Sequence, residues 1–163
     1  MSPPGGPGLT PRERELRPHF LGSSYGPVST EGPGAEGSGE AGGRFGLGEE
    51  APAGRSLSDL PGEEPASWAI LTAWNPGGEQ ADPERNRAAQ LELRAALSGY
   101  AVRDGRSGEG VWAEEALIVS GLSLGRARAR GWDFGQAAVL WGSGRRVALV
   151  WCGSGLCERF WQR

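Results

Sequence analysis

The sequence predicts an α+β domain: a ferredoxin-like βαββαβ sandwich with an extra C-terminal hairpin strand, preceded by a partly disordered N-terminal extension. Three observations predict it. From residue 68, strand-like and helix-like segments alternate in the order β-α-β-β-α-β-β, and the first six are the elements of the split βαβ motif. Composition shifts near residue 66: the first 66 residues hold 15 of the 29 Gly and 10 of the 12 Pro, while all seven Trp lie beyond them. Charge shifts at the same place. The first part carries 5 Arg against 10 acidic residues and the second 12 Arg against 10, which sums to the net −3 of the chain.

Taken in order, residues 1–18 and the run "STEGPGAEGSGEAGG" at 29–43 have no apolar surface to offset the entropy of ordering, and disorder is expected for both. Within 19–66, "HFLGSSYGPV" and "RFGLG" are candidate edge strands and "RSLSDLPG" a candidate helical turn. "WAILTAWN" (68–75) is a strand. Asp82-Pro83-Glu84 starts a helix, with Asp as N-cap, Pro at the first helical position and Glu in the first turn. This helix runs to about Leu97. Its apolar face of Ala89, Leu93, Ala96 and Leu97 extends back to Asn86. "YAVRD" is a short strand, "GRSGEG" a turn-rich loop and "EALIVSGL" a strand. "SLGRARARGW" is a helix capped by Ser123. "GQAAVLW" and "RRVALVW" are strands joined through Gly142-Ser143-Gly144. The core domain is thus 67–152, with 153–163 a C-terminal tail.

Residue usage limits the chemistry. Lys is absent, so no Schiff-base or P-loop lysine exists. The single histidine, His19, lies in the N-terminal stretch, which argues against a Ser-His-Asp triad and a multi-histidine metal site in the core. Cys152 and Cys157 lack His partners and read as ordinary thiols. No cofactor or metal is indicated. No segment reads as a signal peptide or membrane span, so a cytoplasmic protein is expected. A core charge of only +2 argues against nucleic acid as a partner.

The βαββαβ topology carries several polar residues to one edge. The end of the first strand, the start of the first helix, the start of the third strand and the start of the fourth share that edge. It therefore gathers Thr72, Trp74, Asn75, Asn86, Arg87, Gln136 and one of Glu114 or Glu115. Adjacent carboxylates on a strand point to opposite faces, so only one of the two serves a given site. Asn75 and Asn86 both face the helix layer, where an unpaired buried amide costs about 1–3 kcal/mol. They bond each other and the backbone, or they bind something. Arg87 near a helix start can hold an anion, or it is a solvated arginine. The opposite sheet face, with Trp68, Ile70 and Trp74, is also apolar. It needs a cover: the N-terminal strands, a second subunit or a flat ligand.

The segments "WAILTAWNP", "ERNRAAQLELRAAL", "WAEEALIVSGL" and "FGQAAVLWG", in that order, resemble the bacterial family known as domain of unknown function 3293. The resemblance implies that Thr72, Trp74, Asn75, Pro76, Asn86, Trp112, Glu114 or Glu115, Gly135 and Gln136 occupy the family's motif positions. It brings no activity with it. Where the family has Asn after F-G-Q, this chain has Ala137.

The first expectation is a domain that binds a small polar or anionic ligand through Asn75, Asn86, Arg87 and Gln136. The second is a hydrolase or transferase with Glu114 or Glu115 as general base. The third is an interaction or homodimerisation module that uses the open sheet face.

Overall fold

The computed structural model describes residues 8–28, 44–49 and 67–163. The disorder expected at 29–43 and the helical turn expected at 55–62 lie outside the described residues. The elements are α1 (Pro11–Gly22), β1 (Tyr25–Pro27), β2 (Leu47–Gly48), β3 (Ser67–Leu71), α2 (Pro83–Ala96), β4 (Ala101–Ser107), β5 (Glu114–Ser120), α3 (Leu124–Asp133), β6 (Ala138–Ser143), β7 (Arg146–Trp151) and β8 (Cys157–Gln162). The described strands form one antiparallel sheet in the order β1-β4-β5-β3-β6-β7-β8-β2. The fold is α+β.

At the centre of the sheet, β3 and β4 run parallel on either side of β5 and are linked by α2. β5 and β6 likewise flank β3 and are linked by α3. Helices α2 and α3 cover one sheet face. Leu93 and Leu97 of α2 and Ala127 of α3 pack there on Ala69, Leu71, Leu117, Val119 and Val139. Each Leu or Val so buried contributes about 1.5–3 kcal/mol. Both helices start as their sequences dictate. Asp82 accepts from Glu84 N at 3.0 Å, with Pro83 at the first helical position, and Ser123 accepts from Arg126 N at 3.3 Å.

The other face is covered by α1. Residues 1–18 were expected to be disordered, yet 11–22 are helical. The cause is local. Thr10 accepts from Glu13 N at 3.2 Å while Glu13 accepts from Thr10 N at 2.8 Å, a reciprocal capping box followed by Pro11. Leu16, Phe20 and Leu21 then find the apolar sheet face and pack on the cluster that contains Ile70, Leu140, Leu149 and Trp151. Phe20 meets Trp151 edge-on with ring centroids 5.3 Å apart. Polar ties fix the helix. Glu13 Oε1 accepts from Ser154 N at 2.9 Å, Arg17 pairs with Glu158 at 2.9 Å, and Arg12 Nη2 donates to Gly77 O at 2.7 Å. The cover expected from N-terminal strands, a second subunit or a ligand is chiefly this helix.

Three further differences from the sequence reading have physical causes. Residues 153–163 are not a tail: β8 pairs along β7 and buries Phe160 and Trp161. β3 ends at Leu71 instead of Asn75, because side chains take over the backbone donors from Ala73 to Asn75. β4 continues through the expected loop to Ser107, held by β5 on one side and β1 on the other. Gly105 allows that approach, since a Cβ there would stand 2.9 Å from Gly26 O.

The sheet curls until its edges meet. Tyr25 of β1 and Phe45, just before β2, exchange backbone hydrogen bonds of 2.8 and 2.7 Å. Gly46 and Arg163 exchange two more. The two outermost strands therefore close on each other. Among the described residues no helix is long and apolar enough to cross a membrane.

Candidate functional site

The turn after β3 is organised by Asn75. Its backbone is left-handed (φ 48°, ψ 60°), a conformation that Asn tolerates better than most residues. Its Oδ1 accepts from Asn86 Nδ2 and from Ala81 N, both at 3.0 Å. Asn86 Oδ1 accepts in return from Asn75 N at 3.0 Å. Asn86 is 2% exposed, so this reciprocal pair is internal to the protein. Gln90, one turn further along α2, accepts from Ala73 N at 2.8 Å. Thr72 is likewise engaged: its hydroxyl donates to Glu115 O and accepts from Trp74 N.

One donor of Asn75 points away from this network. Nδ2 donates to Glu114 Oε1 at 3.1 Å. Glu114, at the start of β5, lines a cavity of about 320 Å³ between α1 and the concave sheet face. Burial raises its carboxyl from the ordinary 4.5 to about 7, and the Asn75 hydrogen bond, which lowers it, does not offset this. Gln136, before β6, lines the same cavity while its Nε2 donates to Trp74 O at 3.0 Å. Gly135 is tightly placed, since a Cβ there would stand 2.8 Å from Pro76 Cβ.

The cavity walls are Leu16, Phe20, Ile70 and Leu140, with Arg12, Glu15 and His19 on the α1 side and Tyr25 on β1. Tyr25 is almost fully buried and its hydroxyl donates to Phe20 O at 2.7 Å. Burial first, and then the nearby Glu114, push the phenol upward, against a hydrogen bond with Ser23. The His19 ring lies tilted beside Trp112, with ring centroids 6.5 Å apart and planes 51° from parallel.

The expected residues therefore separate into groups. Thr72, Asn75, Glu114 and Gln136 meet at the cavity. Asn86 does not line it and acts by holding Asn75. Trp74 contributes its carbonyl, and its indole Nε1 is buried without a partner among the described residues. Glu115 points to the other side of β5, and exposed Arg87 lies on the outer side of α2. Both border a separate groove beside Arg94 and Leu117. The contribution of α1 is new. His19 was set apart from the core by its place in the chain, yet the helix carries it to the same cavity as Glu114. The signal in the sequence was Thr10-Pro11-Arg12-Glu13, a capping box with Pro.

No curated protein and no solved structure matches the chain. Residues 71–139 do match a family model, described as a protein of unknown function, DUF3293. The match spans the Asn75–Asn86 turn, Glu114 and Gln136, and leaves α1 outside it. The segment from Leu71 to Val139 is thus similar to the DUF3293 family.

Proposed function

We propose that the cavity binds a small organic molecule, with a polar head at Glu114 and an apolar body against α1 and the sheet. One observation carries this reading. A carboxyl group held by Asn75 stands on the wall of a cavity of about 320 Å³ whose remaining surface is largely apolar. A fold without a ligand to bind has no use for a desolvated carboxyl at such a place, because a buried charge is costly unless paired. The proposed site differs from the expected set of contacts: His19 and Tyr25 line the cavity, and Asn86 and Arg87 do not. In the same proposal β3-α2-β4-β5-α3-β6 is a ferredoxin-like unit whose usual open face is occupied by α1. Helix α1 thus packs on the sheet face on which a homodimer was expected.

A second reading has its own support. A carboxyl raised to about 7 by burial takes and gives protons readily near neutral pH, as a general base must. Glu114 would then act on the bound molecule, with Asn75 fixing the carboxylate. Thermal-shift screening of the full chain against amines, alcohols, carboxylates and sugar phosphates tests the binding reading. Ala137→Phe, which fills the cavity, runs in parallel. A ligand at 100 times its Kd stabilises by about 2.7 kcal/mol. Stabilisation that disappears in Ala137→Phe supports the site. Equal stabilisation of both proteins places binding elsewhere.

A further inference from the structure

The donors and acceptors that line the cavity are unevenly used. Asn75 Nδ2 is taken by Glu114 Oε1. Gln136 Nε2 is taken by Trp74 O and Phe134 O. The Tyr25 hydroxyl proton goes to Phe20 O. Among the described residues Arg12 is the guanidinium that lines the cavity, and it is engaged elsewhere: Nε and Nη2 donate to Gly77 O at 3.2 and 2.7 Å, and Nη1 pairs with Glu15 at 2.8 Å. Acceptors remain. Glu114 Oε2 and Gln136 Oε1 have no donor among the described residues. Neither of them is among the fully buried atoms left unpartnered. Both residues border the cavity.

A carboxylate oxygen and an amide oxygen without donors on one stretch of wall suit a ligand head that carries N–H groups. The charge agrees. The charged or titratable groups around the cavity are Arg12, Glu15, His19, Tyr25 and Glu114. Arg12 and Glu15 neutralise each other at the mouth, which leaves the Glu114 carboxylate as the acidic group within. An anionic head would meet that carboxylate, while the Arg12 guanidinium is already shared between Glu15 and Gly77 O. An ammonium presents three donors and the opposite charge.

Resting on the reading of this cavity as a ligand site, we propose that it selects a protonated primary amine on a compact apolar body, with the ammonium on Glu114 and Gln136. Ammonium binding requires the ionised carboxylate, so it removes a proton from Glu114 wherever that group is protonated. Below pH 7, affinity then falls by about tenfold per pH unit.

Calorimetric titration of the full chain with benzylamine, benzyl alcohol and benzoate, at pH 5.5, 7 and 8, tests this. Benzylamine is expected to bind at least tenfold more tightly than the other two at pH 8 and to weaken toward pH 5.5. Glu114→Gln keeps an acceptor for Asn75, and it is expected to lose both the selectivity and the pH dependence. Benzyl alcohol or benzoate binding as tightly as benzylamine overturns the amine assignment and leaves the cavity reading standing. A pH-independent benzylamine affinity in the wild-type protein overturns it too, even if Glu114→Gln fails to fold. Heat from none of the three overturns both readings.

Discussion

Glu114→Gln should make the protein more stable at alkaline pH while leaving it unchanged in acid. Gln fills nearly the same volume and its Oε1 still accepts from Asn75 Nδ2, a bond of 3.1 Å in the native protein. Only the titration is lost. Burial raises the Glu114 carboxyl from 4.5 to about 7. Below pH 4.5 the folded and unfolded chains are both protonated there, and the site carries no penalty. As pH rises from 4.5 to 7 the unfolded chain ionises first, and the folded state loses stability progressively. A difference of about two and a half pH units at 1.36 kcal/mol each gives about 3 kcal/mol in full, an upper value for a group with some solvent contact. Urea unfolding of both proteins at pH 4.5, 6 and 8 reads this directly. The two midpoints should coincide at pH 4.5 and separate toward pH 8, with the variant the more stable. Parallel wild-type and variant curves across the range would refute the claim that Glu114 ionises against a burial penalty.

Four other perturbations have definite outcomes. Asn75→Gly loses the side-chain bonds to Asn86, Ala81 and Glu114 and should cost about 2–3 kcal/mol; Asn75→Ala should cost about 1 kcal/mol more, because a Cβ without a local hydrogen bond opposes φ 48°. Equal losses in urea unfolding would show that the turn is not held left-handed. Gly131→Ala places a Cβ 2.5 Å from Val139 Cγ1 and 2.8 Å from Cys152 Sγ, so crowding of about 1–3 kcal/mol should outweigh the helix-propensity gain of about 1 kcal/mol, and the melting temperature should fall. Phe20→Ala removes the ring that meets Trp151 and should cost about 3 kcal/mol in chemical unfolding, with α1 amides losing hydrogen-exchange protection before those of β3. Iodoacetamide at pH 8 should label Cys157, which is exposed, and spare Cys152, which is buried and has its thiol pushed up to about 12 chiefly by burial; a doubly labelled native protein in the mass spectrum would contradict the placement of β7.

The centre of the fold was legible because its signals are local. Asp82-Pro83-Glu84 sets the start of α2, Ser123 the start of α3, and alternation along 68–71 separates Ala69 and Leu71 from Trp68 and Ile70. The nearness of Asn75 to Gln136 and to one of Glu114 or Glu115 was expected from topology, which left the choice between the two carboxylates open. The outer parts were hidden for a different reason. Thr10 and Glu13 form a complete capping box, but a Pro- and Gly-rich setting outweighed those four residues in a reading by composition. β8 is short, and its partner β7 had to be placed before "CERFWQ" could be seen as a strand. Arg87 was misleading because helix position fixes a side chain's direction more narrowly than its nearness to a helix start suggests. One residue separates it from buried Asn86, and that step of about 100° carries it to the solvent side. His19 reaches the cavity only through a helix that the composition disguised.

The meeting of the sheet's edges has a consequence for how the chain comes off the ribosome. Gly48 pairs with Trp161, so β2 waits for more than a hundred further residues before its partner exists. At roughly 5–20 residues per second that wait is on the order of ten seconds. Strands β3 to β6, with α2 and α3, all lie within residues 67–143, find their partners among themselves and can form while synthesis continues. During that interval Leu47, Phe45 and the apolar side of α1 have no completed surface to join. The nascent protein thus passes through a stage with its centre assembled and its concave face uncovered. A chaperone that shields apolar segments would meet it at that stage, and a stalled ribosome would prolong it.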